Sequence, residues 1–332
     1  MIKNALWVVL LLIGLFSCTN DQCKEIDVSS IDLDLHVERL EDPFFLAKND
    51  VDMTKFLKEH VTLSEAFYQR SQYPHDSILV NKLVKLSNDP FLDTLYQETR
   101  KVYGDFGKQK KQYTTAFKMM KHYYPEFNPP KIKTIVTGIG DGNDLYISND
   151  EIIIGLDWFL ANDGSYKPLG VPQYILNRLT KEHLVPSSVM FLSDQFNKTD
   201  LHDKSMLAEM IYYGKAYEFT KRMMPCIPDS LIIGYSKEEI DGAFANQETI
   251  WAHFLDNSLL YETNHFVKTK FISERPNVPE IGNECPGRIG QWLGWEIVRR
   301  YMENTGASFQ ELMKEKDAQK IFTRSKYKPK NR

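Results

Sequence analysis

Between Pro129-Pro130 and Asp157 the chain changes its period, and that change limits the folds open to it. Residues 132–136, 145–147 and 152–156 are rich in β-branched side chains and are separated by turn signals. Gly138-Ile-Gly-Asp-Gly-Asn-Asp144 is one such turn and Asn149-Asp150 is the second, a hairpin-like one. These segments predict a three-stranded antiparallel meander. Apolar residues at helical spacing lie on both sides of it. Phe106, Tyr113, Phe117, Met120 and Tyr124 keep one helical face, which reads as core rather than as a stacking platform for a sugar or base. After Asp157, helical periods return over 172–179, 205–223, 236–261, 288–302 and 308–322. Ser236-Lys-Glu-Glu239 and Ser308-Phe-Gln-Glu311 have the form of capping boxes. The expectation is an α+β chain, predominantly α-helical, with one small sheet.

The first residues read as an address. Residues 5–16 are apolar apart from Gly14, Lys3 precedes them and Ser17-Cys18 follows. A charged start, a short apolar run and a small residue describe a secretory signal, and twelve residues are too few to cross a bilayer. Leu15-Phe16-Ser17-Cys18 is similar to a bacterial lipobox, which implies cleavage before Cys18 and acylation, palmitate included, of that cysteine. The chain then divides into a signal peptide over 1–17, a polar tether over 18–30 and one mostly helical domain over 31–332. Within that domain, 31–130 is helical, 131–157 is the sheet, and 158–332 is helical with a basic tail.

Charge supports this division. The chain of 332 residues has 41 Lys and Arg against 45 Asp and Glu, a net charge of −4. Residues 314–332 hold eight Lys or Arg against two acids, so the body before them is acidic. No basic excess exists to hold a polyphosphate, which argues against nucleic acid as a partner. Beyond Cys18 there are three cysteines, Cys23, Cys226 and Cys285. The last two are expected as buried free thiols, with a bond between them as the alternative.

The motifs of common chemistries are missing. None of the eight histidines stands three or four residues from another, so no His-Glu-x-x-His zinc site exists. There is no Gly-x-Ser-x-Gly elbow and no phosphate loop. Asp141-Gly-Asn-Asp144 has oxygens suited to calcium, but Ile152 stands where the loop would need its glutamate. The expectation is a protein with no cofactor, no metal and no catalytic residue. The densest unusual segment is Glu284-Cys-Pro-Gly-Arg-Ile-Gly-Gln-Trp-Leu-Gly-Trp-Glu296. Pro286 can open its helix, and Gly287, Gly290 and Gly294 leave a smooth stripe that costs about 1 kcal/mol per glycine relative to alanine. The stripe packs another backbone closely or leaves room for a ligand. The segment Glu209-Met-Ile-Tyr-Tyr-Gly-Lys215 is a candidate packing partner. Tyr213, Lys215, Trp251, Arg288 and Trp292 are the candidate cleft residues in the second case.

At these residues the chain resembles the gliding motility lipoprotein family GldB of Bacteroidota. The resemblance rests on the lipobox ending at Cys18 and the segment Asp32-Leu-Asp-Leu-His-Val-Glu-Arg39. It continues through Tyr123-Tyr-Pro-Glu-Phe127, Ile154-Gly-Leu-Asp157, Tyr213-Gly-Lys215 and Pro286-Gly-Arg-Ile-Gly-Gln-Trp292, and ends at Ser325-Lys-Tyr-Lys-Pro-Lys330. It implies a cell-envelope lipoprotein, lipid-anchored through Cys18 in the outer membrane, that works without catalysis by contact with envelope or motility-machinery proteins. The alternative is a ligand-binding protein or hydrolase with a glycine-rich cleft. More distantly the chain looks like predicted zinc peptidases, which implies a degenerate zincin-like scaffold without its metal motif.

Overall fold

The structure is a computed structural model that describes residue 23 and residues 26–138, 143–160 and 163–329. The signal peptide, Cys18 and residues 139–142 of the glycine-rich turn, Asp141 of the candidate calcium oxygens included, lie outside the described residues.

The chain opens with a short strand, β1 (Val37–Arg39). Six helices follow: α1 (Glu41–Leu46), α2 (Asp50–Glu59), α3 (Val61–Ala66), α4 (Asp76–Ser87), α5 (Pro90–Tyr103) and α6 (Gly107–Tyr123). Asn49 and Asp89 start α2 and α5 by accepting hydrogen bonds from the first-turn backbone N–H groups. The strands β2 (Lys131–Ile135), β3 (Leu145–Ile147) and β4 (Glu151–Gly155) come next.

These strands do not form the expected antiparallel meander. They form a four-stranded sheet of order β1-β2-β4-β3, in which β1 and β2 are parallel, β2 and β4 are parallel, and only β3 pairs antiparallel to β4. The reason lies in three consecutive isoleucines. Ile152, Ile153 and Ile154 are all fully buried, so β4 is covered on both faces and needs a neighbour on each edge. A meander would have left it at the edge. The short strand over residues 37–39 supplies the fourth member.

The second helical part comprises α7 (Gln173–Leu176), α8 (Leu184–Leu192), α9 (Met206–Met223), α10 (Asp229–Ile233), α11 (Lys237–Ala245), α12 (Gln247–Asp256) and α13 (His265–Ile272). A two-stranded ribbon, β5 (Asn277–Val278) with β6 (Gly282–Pro286), precedes α14 (Ile289–Thr305), α15 (Phe309–Lys314) and α16 (Ala318–Ser325). Both capping boxes form, at Ser236 with Glu239 and at Ser308 with Glu311. Pro286 does not open a helix. It ends β6, where it pairs with Asn277, and the helix begins three residues later.

Buried side chains form two clusters. One joins α1–α6, the sheet and α8, and the other joins the helices from α9 onward. Helix α9 belongs to both, with Phe219 and Met223 in the first and Met206, Met210 and Tyr217 in the second. Its main partner is α14, and the glycine stripe explains how closely the two approach. A Cβ on Gly294 would lie 1.9 Å from the Met210 carbonyl oxygen, so only glycine fits. Close backbone packing therefore accounts for Gly294, with 209–215 as the partner.

The cysteines pair in a way the sequence does not suggest. Cys23 is bonded to Cys226, 203 residues away, with their Cα atoms 5.3 Å apart. Cys285 is the free one, partly buried in β6. Neither two free thiols nor a Cys226–Cys285 bond is present. Cys23 was expected inside a loose tether, where no local pattern marks a long-range partner.

Candidate functional site

A polar hollow in the second helical part lies between the segment before α8, the start of α11 and the turn into α14. Tyr174, Asn177, Arg178 and His183 line one side, and Tyr235, Ser236 and Glu239 another. Glu274, Arg275, Gly287 and Arg288 complete it, around about 220 Å³ of space.

Arg288 is held there by its backbone. It stands at the N-terminal cap of α14 with φ +60°, a left-handed conformation that a non-glycine residue adopts at a cost of order 1–3 kcal/mol. Its guanidinium reaches back to the end of α10, donating from Nη1 to the Ile233 carbonyl at 2.6 Å and from Nη2 to Gly234 at 3.2 Å. A cation placed on the last carbonyls of a helix satisfies acceptors the helix cannot. The same group lies 5.3 Å from the Tyr235 ring centre, and Tyr235 donates to the Gly287 carbonyl at 2.6 Å. Gly287 admits no side chain, because a Cβ would stand 1.9 Å from the Arg275 carbonyl oxygen.

A second arginine meets the same anion. Arg178 Nη2 donates to Glu274 Oε2 at 2.6 Å, while Arg288 Nε lies 3.4 Å from that oxygen. Burial and the neighbouring Arg288 charge pull Arg178 below the usual arginine range. His183 sits beside them with Nδ1 2.9 Å from Thr180 Oγ1. Burial and the positive charge of Arg178 push His183 down to about 4, so its ring is neutral at ordinary pH.

Of the five cleft candidates, Arg288 alone lines this hollow. Tyr213 is half-buried on α9, its ring against Tyr212. Trp292 is buried edge-on to Phe244. Trp251 packs against Tyr327 and Phe322 of the C-terminal segment. Lys215 is fully buried and serves backbone, donating from Nζ to the carbonyls of Lys198 at 2.7 Å, Glu315 at 2.8 Å and Met313 at 3.3 Å. Burial pulls its ammonium down to about 7, opposed by the nearby charge of Glu315.

Arg178, His183, Glu274 and Arg275 are the residues sequence reasoning missed. They come from two segments far apart in the chain, 178–183 and 274–275, and neither carries a motif. Among the described residues no three His, Cys, Asp or Glu side chains come together to hold a metal ion. None of the described helices is long and apolar enough to cross a membrane.

No curated protein and no solved structure matches the chain. A family model does, that of the gliding motility protein GldB, over residues 21–329. That match spans nearly the whole chain, and the protein therefore belongs to the GldB family of gliding motility lipoproteins.

Proposed function

We propose that this protein is held against the outer membrane through acylated Cys18 and acts without catalysis, by contact with other envelope components of the motility machinery. One observation carries the reading. Cys23 is bonded to Cys226, so the expected lipid is only five positions along the chain from a fixed point on the body. Five extended residues reach at most about 18 Å, which keeps the Cys226 end of α9 close to the bilayer. A free tether ending at residue 30 would have allowed more than twice that distance.

The surface next to this point fits the role. Residues 26–29 lie along α6, beside Lys110, Lys111 and Lys118. Helix α6 has five lysines and no acid. Such a face attracts anionic headgroups within about a Debye length. A body fixed in one orientation presents its opposite side to partners, which suits a contact role.

The test is allelic replacement in a gliding host. A Cys18→Ser allele and a Cys23→Ser/Cys226→Ser allele should each reduce colony spreading, the first also releasing the protein from the outer-membrane fraction. Unchanged spreading with the unanchored protein would overturn the proposal.

A further inference from the structure

We propose that the hollow at Arg178 and Arg288 binds a small molecule through a single carboxylate group, with Glu274 as a built-in competitor for the two arginines. The argument starts from charge. Two guanidiniums share one carboxylate oxygen, at 2.6 and 3.4 Å. The Arg288 side chain is 9% exposed and that of Arg178 22%, so this cation pair is largely removed from water. Over the whole lining, Arg178, Arg275 and Arg288 stand against Glu239 and Glu274, an excess of one positive charge.

The other acids nearby keep their charges but are held by partners other than Arg178 and Arg288. Glu239 accepts from the Ser236 backbone N–H at 2.7 Å. Glu280 pairs with Arg275 at 3.3 Å and with Lys270 at 3.6 Å. Glu182 accepts from Thr180 at 3.0 Å. His183 faces the pair in its neutral form and adds no charge. A buried, undercompensated cation is costly, and a ligand anion is the direct remedy.

The arrangement also favours one carboxylate over a phosphate dianion. The excess is a single charge, and Glu274 shows the shape of anion that already fits. Glu274 is 44% exposed at the mouth, so it can swing into water when a ligand carboxylate replaces it. Among the described residues, Glu274 is the only side-chain hydrogen-bond partner of Arg178, which leaves the rest of that planar fork for a bidentate contact. Asn177, Ser236 and Tyr174 line the same space and can receive the polar remainder of the ligand. About 220 Å³ is less than a drug-sized pocket encloses, which restricts the ligand to a small acid such as an acylated amino acid.

Titration calorimetry on the detergent-solubilised chain tests this with three probes: N-acetyl-L-alanine, its neutral amide N-acetyl-L-alaninamide, and inorganic phosphate. The acid should bind saturably with a millimolar dissociation constant, and the amide and phosphate about tenfold more weakly or worse. Glu274→Gln should tighten the acid several-fold, because it removes the competitor without removing the arginines. Arg178→Gln should abolish binding, while Arg178→Lys, which keeps the charge, should retain a weakened form and so separates loss of the site from loss of the fold. No saturable binding of the acid, equal binding of the amide, tighter binding of phosphate, or weaker binding in Glu274→Gln would each overturn the proposal.

Discussion

Gly214 and Gly294 meet where α9 crosses α14, so closely that a Cβ on Gly214 would stand 2.5 Å from the Gly294 carbonyl oxygen. Each glycine makes room for the other helix's backbone, and neither can take a methyl group unless the helices separate. Gly294→Ala and Gly214→Ala should each destabilise the protein by about 3 kcal/mol, read as a lower urea midpoint. Gly242, inside α11, has nothing within 4 Å of its missing Cβ. Gly242→Ala should raise stability by up to about 1 kcal/mol. Equal effects at Gly242 and Gly294 would show that helix propensity, not packing, governs the stripe.

The Cys23–Cys226 bond makes a chemical prediction. Non-reducing peptide mapping should recover those two cysteines together. Loop-entropy arguments for a separation of 203 residues set an upper bound of about 5 kcal/mol on what it contributes. Cys285 should behave differently. Burial pushes its thiol up to about 12, so it should react slowly with iodoacetamide at pH 8 in the native protein and quickly once unfolded.

His183 gives a pH dependence. Its folded pKa of about 4 lies below the ordinary 6.5, so the unfolded chain takes up the proton first as pH falls. This contribution to stability is complete above about pH 6.5 and is lost as pH falls through about 4. Between pH 7 and pH 5 it should amount to roughly 2 kcal/mol, seen as a smaller loss in His183→Gln than in the parent. Identical acid profiles for the two proteins would remove His183 from the account.

Lys215 ties α9 to the residue 198 loop and to the end of α15. Lys215→Met should leave the Lys198 and Glu315 carbonyls without their donor, while Met313 keeps the Lys198 N–H at 3.0 Å, and should cost about 3 kcal/mol by denaturant titration. A neutral result would mean that water or a shift of residues 313–315 replaces the ammonium.

Much of this was legible in the sequence wherever it depended on local pattern. The capping boxes at Ser236 and Ser308 stand where their spelling puts them, and the helical periods and β-branched segments name the right elements. Strand order was not legible, because burial of Ile152–Ile154 on both faces is a property of the assembled sheet. The same limit applies to the hollow. Arg178, Glu274 and Arg288 are ordinary residues in their own segments, and only the fold makes them share a charge. Lys215 and Trp292 drew attention as residues of a cleft, yet their neighbourhoods are filled. A polar or aromatic side chain on a glycine-striped helix reads alike whether it faces a ligand or a carbonyl.

The disulfide near the start of the chain also decides where force enters the molecule. Without it, tension on the N-terminal segment would run through residues 26–36 and pull on β1, an edge strand of only three residues. With it, tension passes from Cys23 straight to Cys226 and leaves that strand slack. The load arrives just beyond the C-terminal end of α9, the helix clasped along its length by α14. Edge strands peel one hydrogen-bonded pair at a time, whereas two interlocked helices must slide together. A single covalent bond thus moves the point of loading from a three-residue edge strand to the end of a helix packed along another helix.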